Sequence, residues 1–574
     1  MRRSLARRFA PLAAVLAVQL MIIAIAPSRS NPSNEKVAAG APSGVAAFDP
    51  ETGEPLEPGD LNASGSATTT PSGGSGVNPR ADAGGGGPAA PAGDTRHCVG
   101  DRQFAPAIYP WVPPCAAKFT GANGGETYRG VSGSAIKVVV MAGNYGAAVE
   151  AALQAAGGST PEQAAAATAA NQDFINAKFE LYGRKVEMKY RKFRCGTGGE
   201  GPPDDQCLRN EARQIVAEEN PFAVIWDNSV SSATYDEFSN LKVLNFGGYG
   251  FRDSFNLSNR PYHWDLHMSG TQMARNVATW WCRRMEGGNA EFAGERNATN
   301  DMRKSKRVLG VVSTDDAENK QTITEFNNFL RQTCGASVAH SYFYSQNVQT
   351  APAQRRAAIA AMQENPQATS VACFCDQVAP AFLYDEMELN GYYPEIVIPA
   401  MGNNDTDPAS QTFDHLLDPQ RAADEYPVYE NAFGLGQQPP AQPQGKDYAA
   451  RVWQATGRQG DQGFDAVSGV DYAMMVAALL QAAGPNLTPA SIEASAARLG
   501  RLGSASDALA SPRLFDPANG DYTWNDGLRE IYWATKRASP YNGAPGAWIA
   551  MGPWYVNGGF PTGPFGPLPP KPRG

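Results

Sequence analysis

The sequence predicts an α/β protein of two doubly wound parallel-sheet lobes, set behind an N-terminal signal or membrane segment and a disordered linker. Three observations lead to this. From about residue 131, short β-branched apolar runs alternate with amphipathic stretches of helical length. Those runs are continuously apolar rather than alternating, the mark of strands covered on both faces and therefore parallel. The alternation also comes as two series, split by "PYHWDLHM" (261–268), each of a size suited to one lobe.

The N-terminus carries Arg2, Arg3, Arg7 and Arg8 ahead of an apolar run from Pro11 to Ala26. Positive residues before an apolar stretch direct export. The run is at the lower limit of length for spanning a bilayer, so residues 1–30 are read as either a signal peptide or an uncleaved anchor. The body of the protein is then extracellular, tethered to the cytoplasmic membrane or secreted. Residues 31–95 are rich in Gly, Pro, Ala, Ser and Thr. They lack the apolar surface needed to offset ordering entropy and read as a disordered tether, roughly 45 Å in average span. Residues 96–130, with Cys98 and Cys115, form a short stapled segment, read as a decoration without a binding role.

In the first series, strands are expected at 136–143, 184–193, 222–227 and 241–248, with helices at 160–179 and 207–220. Thr160 and Pro161 supply a good N-cap and first helical residue. In the second series, helices at 270–285, 317–333, 351–365 and 379–391 precede strands at 307–313, 337–344, 370–375 and 395–400. The expected division is lobe I at 131–265, lobe II at 266–400, a return to lobe I at 401–484, and completion of the hinge and lobe II at 485–574 with a Pro-rich tail. In open α/β sheets ligands bind beyond the carboxyl ends of the strands, so two facing lobes make an interdomain cleft.

Several stretches in the right order carry a family resemblance: "GVSGSAIKVVVMAG", "NQDFINAKFELYGRKVEMKYRKFRC", "YHWDLHMSGTQMARNVATW", "RVLGVVSTDDAEN", "GYYPEIVIPAMGNN" and "GFDAVSGVDYAMMVAALLQAAG". Over about residues 130–555 the chain resembles the type I periplasmic binding proteins, the leucine/isoleucine/valine-binding branch of ABC-transporter solute receptors. The resemblance implies two lobes joined by three hinge segments that close on a small polar ligand, amino-acid-like or a small organic acid or amide. It also implies a monomer without cofactor, not an enzyme, that hands its ligand to an ABC permease. A surface sensor or structural module on the same fold is the alternative.

The candidate ligand residues lie at strand ends. Asn228, Ser229, Ser231 and Ser232 follow the third strand, where hydroxyls and free N–H groups suit a carboxylate; a plain helix cap is the competing reading. Gly248 and Tyr249 follow the fourth. In lobe II the candidates are Asp315, Glu318, Asp376, Gln377 and Met401. Relatives often place a tyrosine where Glu318 stands, and an acid for the ligand's ammonium near Ala400, Met401 and Gly402; Asp376 or Glu318 is the candidate replacement. His263 and His267 share the spacing of a zinc-protease pair, but Trp264 stands where that motif has Glu. The net charge of −9 and the absence of a basic stripe argue against nucleic acid.

In an exported chain the eight cysteines are expected to pair. Cys195 and Cys207 flank a Gly/Pro-rich loop, Cys282 and Cys334 sit at helix ends in lobe II, and Cys98 and Cys115 make the short staple. Cys373 and Cys375, two apart on a strand, would have Cα atoms about 6.5–7 Å apart, which favours packing over a bridge.

Overall fold

The computed structural model describes residues 93–155, 158–198, 201, 203–226, 231–248, 250–294, 301–347, 350–376, 379–401, 404–415, 428–460, 466–557 and 559–560. The expected N-terminal signal or anchor, nearly all of the expected linker and the Pro-rich tail lie outside them. No helix among the described residues is long and apolar enough to cross a membrane.

Lobe I holds β1 (Ala135–Ala142), β2 (Lys185–Lys192), β3 (Ala223–Trp226), β4 (Leu244–Phe246) and β5 (His263–Trp264) in the order β2-β1-β3-β4-β5. All its pairings are parallel. Lobe II repeats this order with β6 (Leu309–Thr314), β7 (His340–Tyr344), β8 (Ser370–Phe374), β9 (Glu395–Pro399) and β10 (Ala432–Gly436), and adds β11 (Gly527–Ala538) and β12 (Pro545–Val556), giving β12-β11-β10-β9-β8-β6-β7. The hairpin joins antiparallel, Gly436 opposite Arg529. Every residue of β6, β8, β9 and β10 is buried, as continuous apolar runs require.

The helices of lobe I are α1 (Ala147–Ala155), α2 (Pro161–Lys178), α3 (Asp205–Glu219), α4 (Ser232–Asn240) and α5 (Asp253–Ser258). Thr160 and Gln163 close a capping box at the start of α2, so two orphan donors are satisfied where the sequence placed the helix start. Lobe II carries α6 (Gly270–Arg284), α7 (Ala317–Cys334), α8 (Ala351–Met362), α9 (Ala379–Leu389) and α10 (Asp407–His415); lobe I is completed by α11 (Tyr448–Ala455), α12 (Ala466–Ala483) and α13 (Pro489–Ala496). The expected return to lobe I at residue 401 comes later: β10 still pairs with β9, and the chain leaves lobe II only after Gly436.

Three segments cross between lobes: residues 265–269, 437–447 and the stretch from 497 to β11. The first and third run side by side. Asp265 N–H donates to Tyr522 O, Trp524 N–H to Asp265 O and Asn525 N–H to Leu266 O. Gln437, in the second, joins all three. Its Oε1 accepts from Met268 N at 3.3 Å and Asn525 Nδ2 at 2.9 Å, and its Nε2 donates to Ala400 O at 2.5 Å.

The cysteine pairs Cys98–Cys115, Cys195–Cys207 and Cys282–Cys334 are bridged. The expectation for Cys373 and Cys375 is corrected: they too are bridged, with Cα atoms 5.1 Å apart. The reason is local. The bridge sits where β8 ends at Phe374, and the 5.1 Å separation shows the chain bent there below the spacing of a regular strand. The stapled N-terminal segment is likewise more than a decoration, because Tyr109 and Trp111 are completely buried in the lobe I core.

Candidate functional site

The lobes meet over the carboxyl ends of their strands. At one rim Arg252, following β4, makes a two-pronged ion pair with Glu318 on α7, Nε to Oε2 at 3.1 Å and Nη2 to Oε1 at 3.2 Å. Glu325 adds a third oxygen at 3.5 Å from Nη1. At the other rim Gly198, in the loop closed by Cys195–Cys207, approaches Gln346 beyond β7.

On the lobe I wall, Ser231 is the N-cap of α4: its Oγ accepts from Ala233 N at 3.1 Å and donates to Asp205 Oδ1 at 2.5 Å. Ser232 is the first residue of the same helix. Asn228, Ser229 and Tyr249 lie outside the described residues. Gly248 has φ +110° and a Cβ there would fall 2.5 Å from the Phe251 ring. The close approach it allows is therefore by an aromatic ring. Gly248→Ala is expected to cost about 1–3 kcal/mol by overpacking, measured by urea unfolding; a stability unchanged from wild type would contradict that packing role.

Phe251 belongs to an aromatic group with Tyr235 and Phe255 around His263. His263 Nδ1 lies 2.6 Å from Asn245 Oδ1, and burial pulls the imidazole down to about 3. His267, also buried, is pulled down to about 4. Each sits in packed protein, and among the described residues no group of acids, histidines or cysteines has metal-binding geometry.

On the lobe II wall, Asp316 rather than Asp315 caps α7, accepting from Asn319 N at 2.9 Å. Asp315 is exposed at the end of β6. Asp376, one residue past the Cys373–Cys375 bridge, accepts from Tyr344 Oη at 3.0 Å and from Ala379 N at 2.9 Å, the latter capping α9. Gln377 lies outside the described residues. Met401 packs into the lobe II core. Glu318, proposed on sequence as the acid for a ligand's ammonium, is already paired with Arg252, which removes the charge such a ligand would seek.

A further acid, Asp405, was not singled out in the sequence. Asp405 is buried where the chain turns after β9, with Oδ2 accepting from Gln437 N at 2.6 Å and Gln438 N at 2.9 Å. Its Oδ1 is buried without a partner, as is Oδ1 of the neighbouring Asn404. Burial raises the Asp405 pKa above the ordinary carboxylate value. Asn404 Nδ2 donates to Cys375 O at 3.5 Å, so the ends of β8 and β9 are linked here. In sequence "NNDTDP" reads only as a turn and helix start.

Solved structures similar to this chain include three binding proteins at low identity. A possible leucine/isoleucine/valine-binding protein from Rhodopirellula baltica SH 1 is 11% identical, with a TM-score of 0.49 over 73% of this chain and 96% of that chain. The solute-binding protein of an ABC transporter from R. palustris, in complex with 4-hydroxybenzoate, is 13% identical, with a TM-score of 0.48 over 74% and 99%. A branched chain amino acid ABC transporter from Thermus thermophilus with bound valine is 10% identical, with a TM-score of 0.49 over 74% and 97%. The chain resembles the type I periplasmic binding proteins. No family model matches it, and neither does any curated protein.

Proposed function

We propose that the protein is an extracytoplasmic solute-binding receptor that closes two lobes on a small polar molecule and presents it to an ABC importer. The observation that carries this reading is the paired topology: two sheets whose first five strands are parallel and share one order are joined by three crossing segments. Such an arrangement leaves strand-end loops and helix N-termini converging on a cleft. Binding rather than catalysis fits Asp316 and Asp376, which cap helices, and Glu318, which holds an ion pair. The lobe I hydroxyls at Ser231 and Ser232, with their helix N-terminus, are assigned to a carboxylate or another oxygen-rich group. Asp405 Oδ1 and Asn404 Oδ1 are assigned to a donor such as an ammonium or amide. Asp315 and Asp376 line the same side, and Cys98–Cys115 anchors the tethered end.

Thermal shift with a panel of small acids, amino acids and amides tests this. A true ligand at one hundred times its Kd adds about 2.7 kcal/mol. Asp405→Asn should erase the shift for amine-bearing ligands and leave it for simple carboxylic acids. If no compound in the panel raises the melting temperature, the receptor reading fails.

A further inference from the structure

The stapled segment that joins the linker to the body is tied to the hinge by side-chain hydrogen bonds. Trp111 Nε1 donates to Ser511 O at 2.7 Å, Ser511 Oγ donates to Asn525 Oδ1 at 3.2 Å, and Asn525 Nδ2 donates to Gln437 Oε1 at 2.9 Å. Gln437 is the residue that holds the three crossing segments together. A second route starts two residues earlier. Tyr109 Oη donates to Asp471 Oδ1 at 2.7 Å, and the next residue of α12, Tyr472, donates through Oη to Asp265 Oδ1 at 3.0 Å, on the first crossing segment. Tyr109, Trp111, Ser511, Asp471, Asn525, Asp265 and Gln437 are all buried, so water does not compete for these bonds.

We propose that the stapled N-terminal segment sets the lobe-closing equilibrium: by holding Ser511 and Asp471 it fixes the hinge strands at Asn525 and Asp265. It regulates the same ligand cleft described above and rests on that reading. Two routes that begin on one short disulfide-closed stretch and end on different crossing segments need a common purpose, and plain attachment to lobe I does not require either to reach the hinge. Interfaces with two discrete packings convert small shifts at one end into rotation of whole lobes. The partner best placed to use it is whatever pulls on or covers the tethered end, because residues 31–92 connect there directly.

The test is the distribution of lobe-to-lobe distances in the full chain, by pulsed electron–electron resonance between spin labels at Glu187→Cys and Asn328→Cys, both exposed positions on opposite lobes. Trp111→Phe keeps the ring packing and removes the donor to Ser511. Ser511→Ala removes the relay to Asn525 with little change in volume. Each is expected to broaden the distribution and shift it toward longer distances, and the pair together should do no more than either alone, as members of one path must. Distributions unchanged in both variants, with only the melting temperature lowered, would overturn the proposal and leave the segment a passive staple. The readout needs no ligand. An unchanged distribution defeats the proposal even if some ligand closes the lobes, and a changed one supports it even if none does.

Discussion

Arg513→Ala is expected to remove about 3–5 kcal/mol of stability, the cost of leaving a buried charge without its partner. Arg513 and Asp471 are each 4% exposed in their side chains, joined at 2.9 Å between Nη2 and Oδ2. The guanidinium also lies 3.4 Å from the centre of the Trp111 ring and 4.9 Å from that of Trp524. Tyr109 and Tyr448 donate to the same carboxylate at 2.7 and 2.9 Å. Their burial and the negative charge beside them drive both phenols far above their usual range, so they stay protonated donors. Removing the arginine leaves Asp471 with two neutral donors and no countercharge. Asp471→Leu combined with Arg513→Met should recover only part of the loss, because it removes the buried pair but leaves the Tyr109 and Tyr448 hydroxyls without their acceptor. A single-variant loss no larger than the ~1 kcal/mol of an exposed ion pair, by urea unfolding, would contradict this assignment.

Stability is expected to rise by about 2–3 kcal/mol as pH falls from 8.5 to 6.5. The cause lies in the crossing segments and beside them. Burial raises Asp265 to about 7 and Asp526 to about 8, and raises Asp521 to about 6. In the unfolded chain these carboxyls are ionised throughout this window, whereas the folded protein binds protons, so lowering the pH favours the fold. Below pH 6.5 two groups oppose the trend. His263 and His267 are held neutral to about 3 and 4 in the fold but become protonated when unfolded, and their contribution is lost as pH falls. The melting temperature should therefore climb more slowly below pH 6.5, the three carboxyls still outweighing the two imidazoles down to about pH 5. Asp526→Asn should flatten the climb most, since Asp526 titrates highest. A climb of the same size in that variant would show that another group is responsible.

The parallel core was legible because burial on both faces leaves no polar positions in strands such as β6 and β9. β11 was not, for the opposite reason. It carries Arg529 and Glu530 at buried positions, and Glu530 is satisfied by Arg284 at 2.6 Å and Trp280 at 2.8 Å. A strand whose charges are paired internally looks like surface until its partners are placed. α4 was expected only as a helix beginning near Ser231, without bounds, because "SATYDEFSN" shows no wide apolar stripe. At the site, Ser231 was singled out because a strand end followed by hydroxyls has a local signature, and the structure places it as the N-cap of α4. Asp405 and Gln437 have none: their importance comes from Met268, Ala400 and Asn525 arriving from distant parts of the chain. Glu318 was read as a free acid because nothing near it in sequence announces Arg252, sixty-six positions away.

The antiparallel hairpin added to lobe II bears on how the protein is made. β10 ends at Gly436, yet its outer neighbour β11 begins only at Gly527, after the whole of α12 and the third crossing. The lobe I core likewise draws on Trp111 near the start and Trp524 near the end. Neither lobe can finish when its own first series emerges, and a growing or translocating chain holds β10 as a bare apolar edge in the meantime, open to mispairing with other chains. Such long-range closures slow folding, so both lobes must reach their final form together and late, once almost the full length is free.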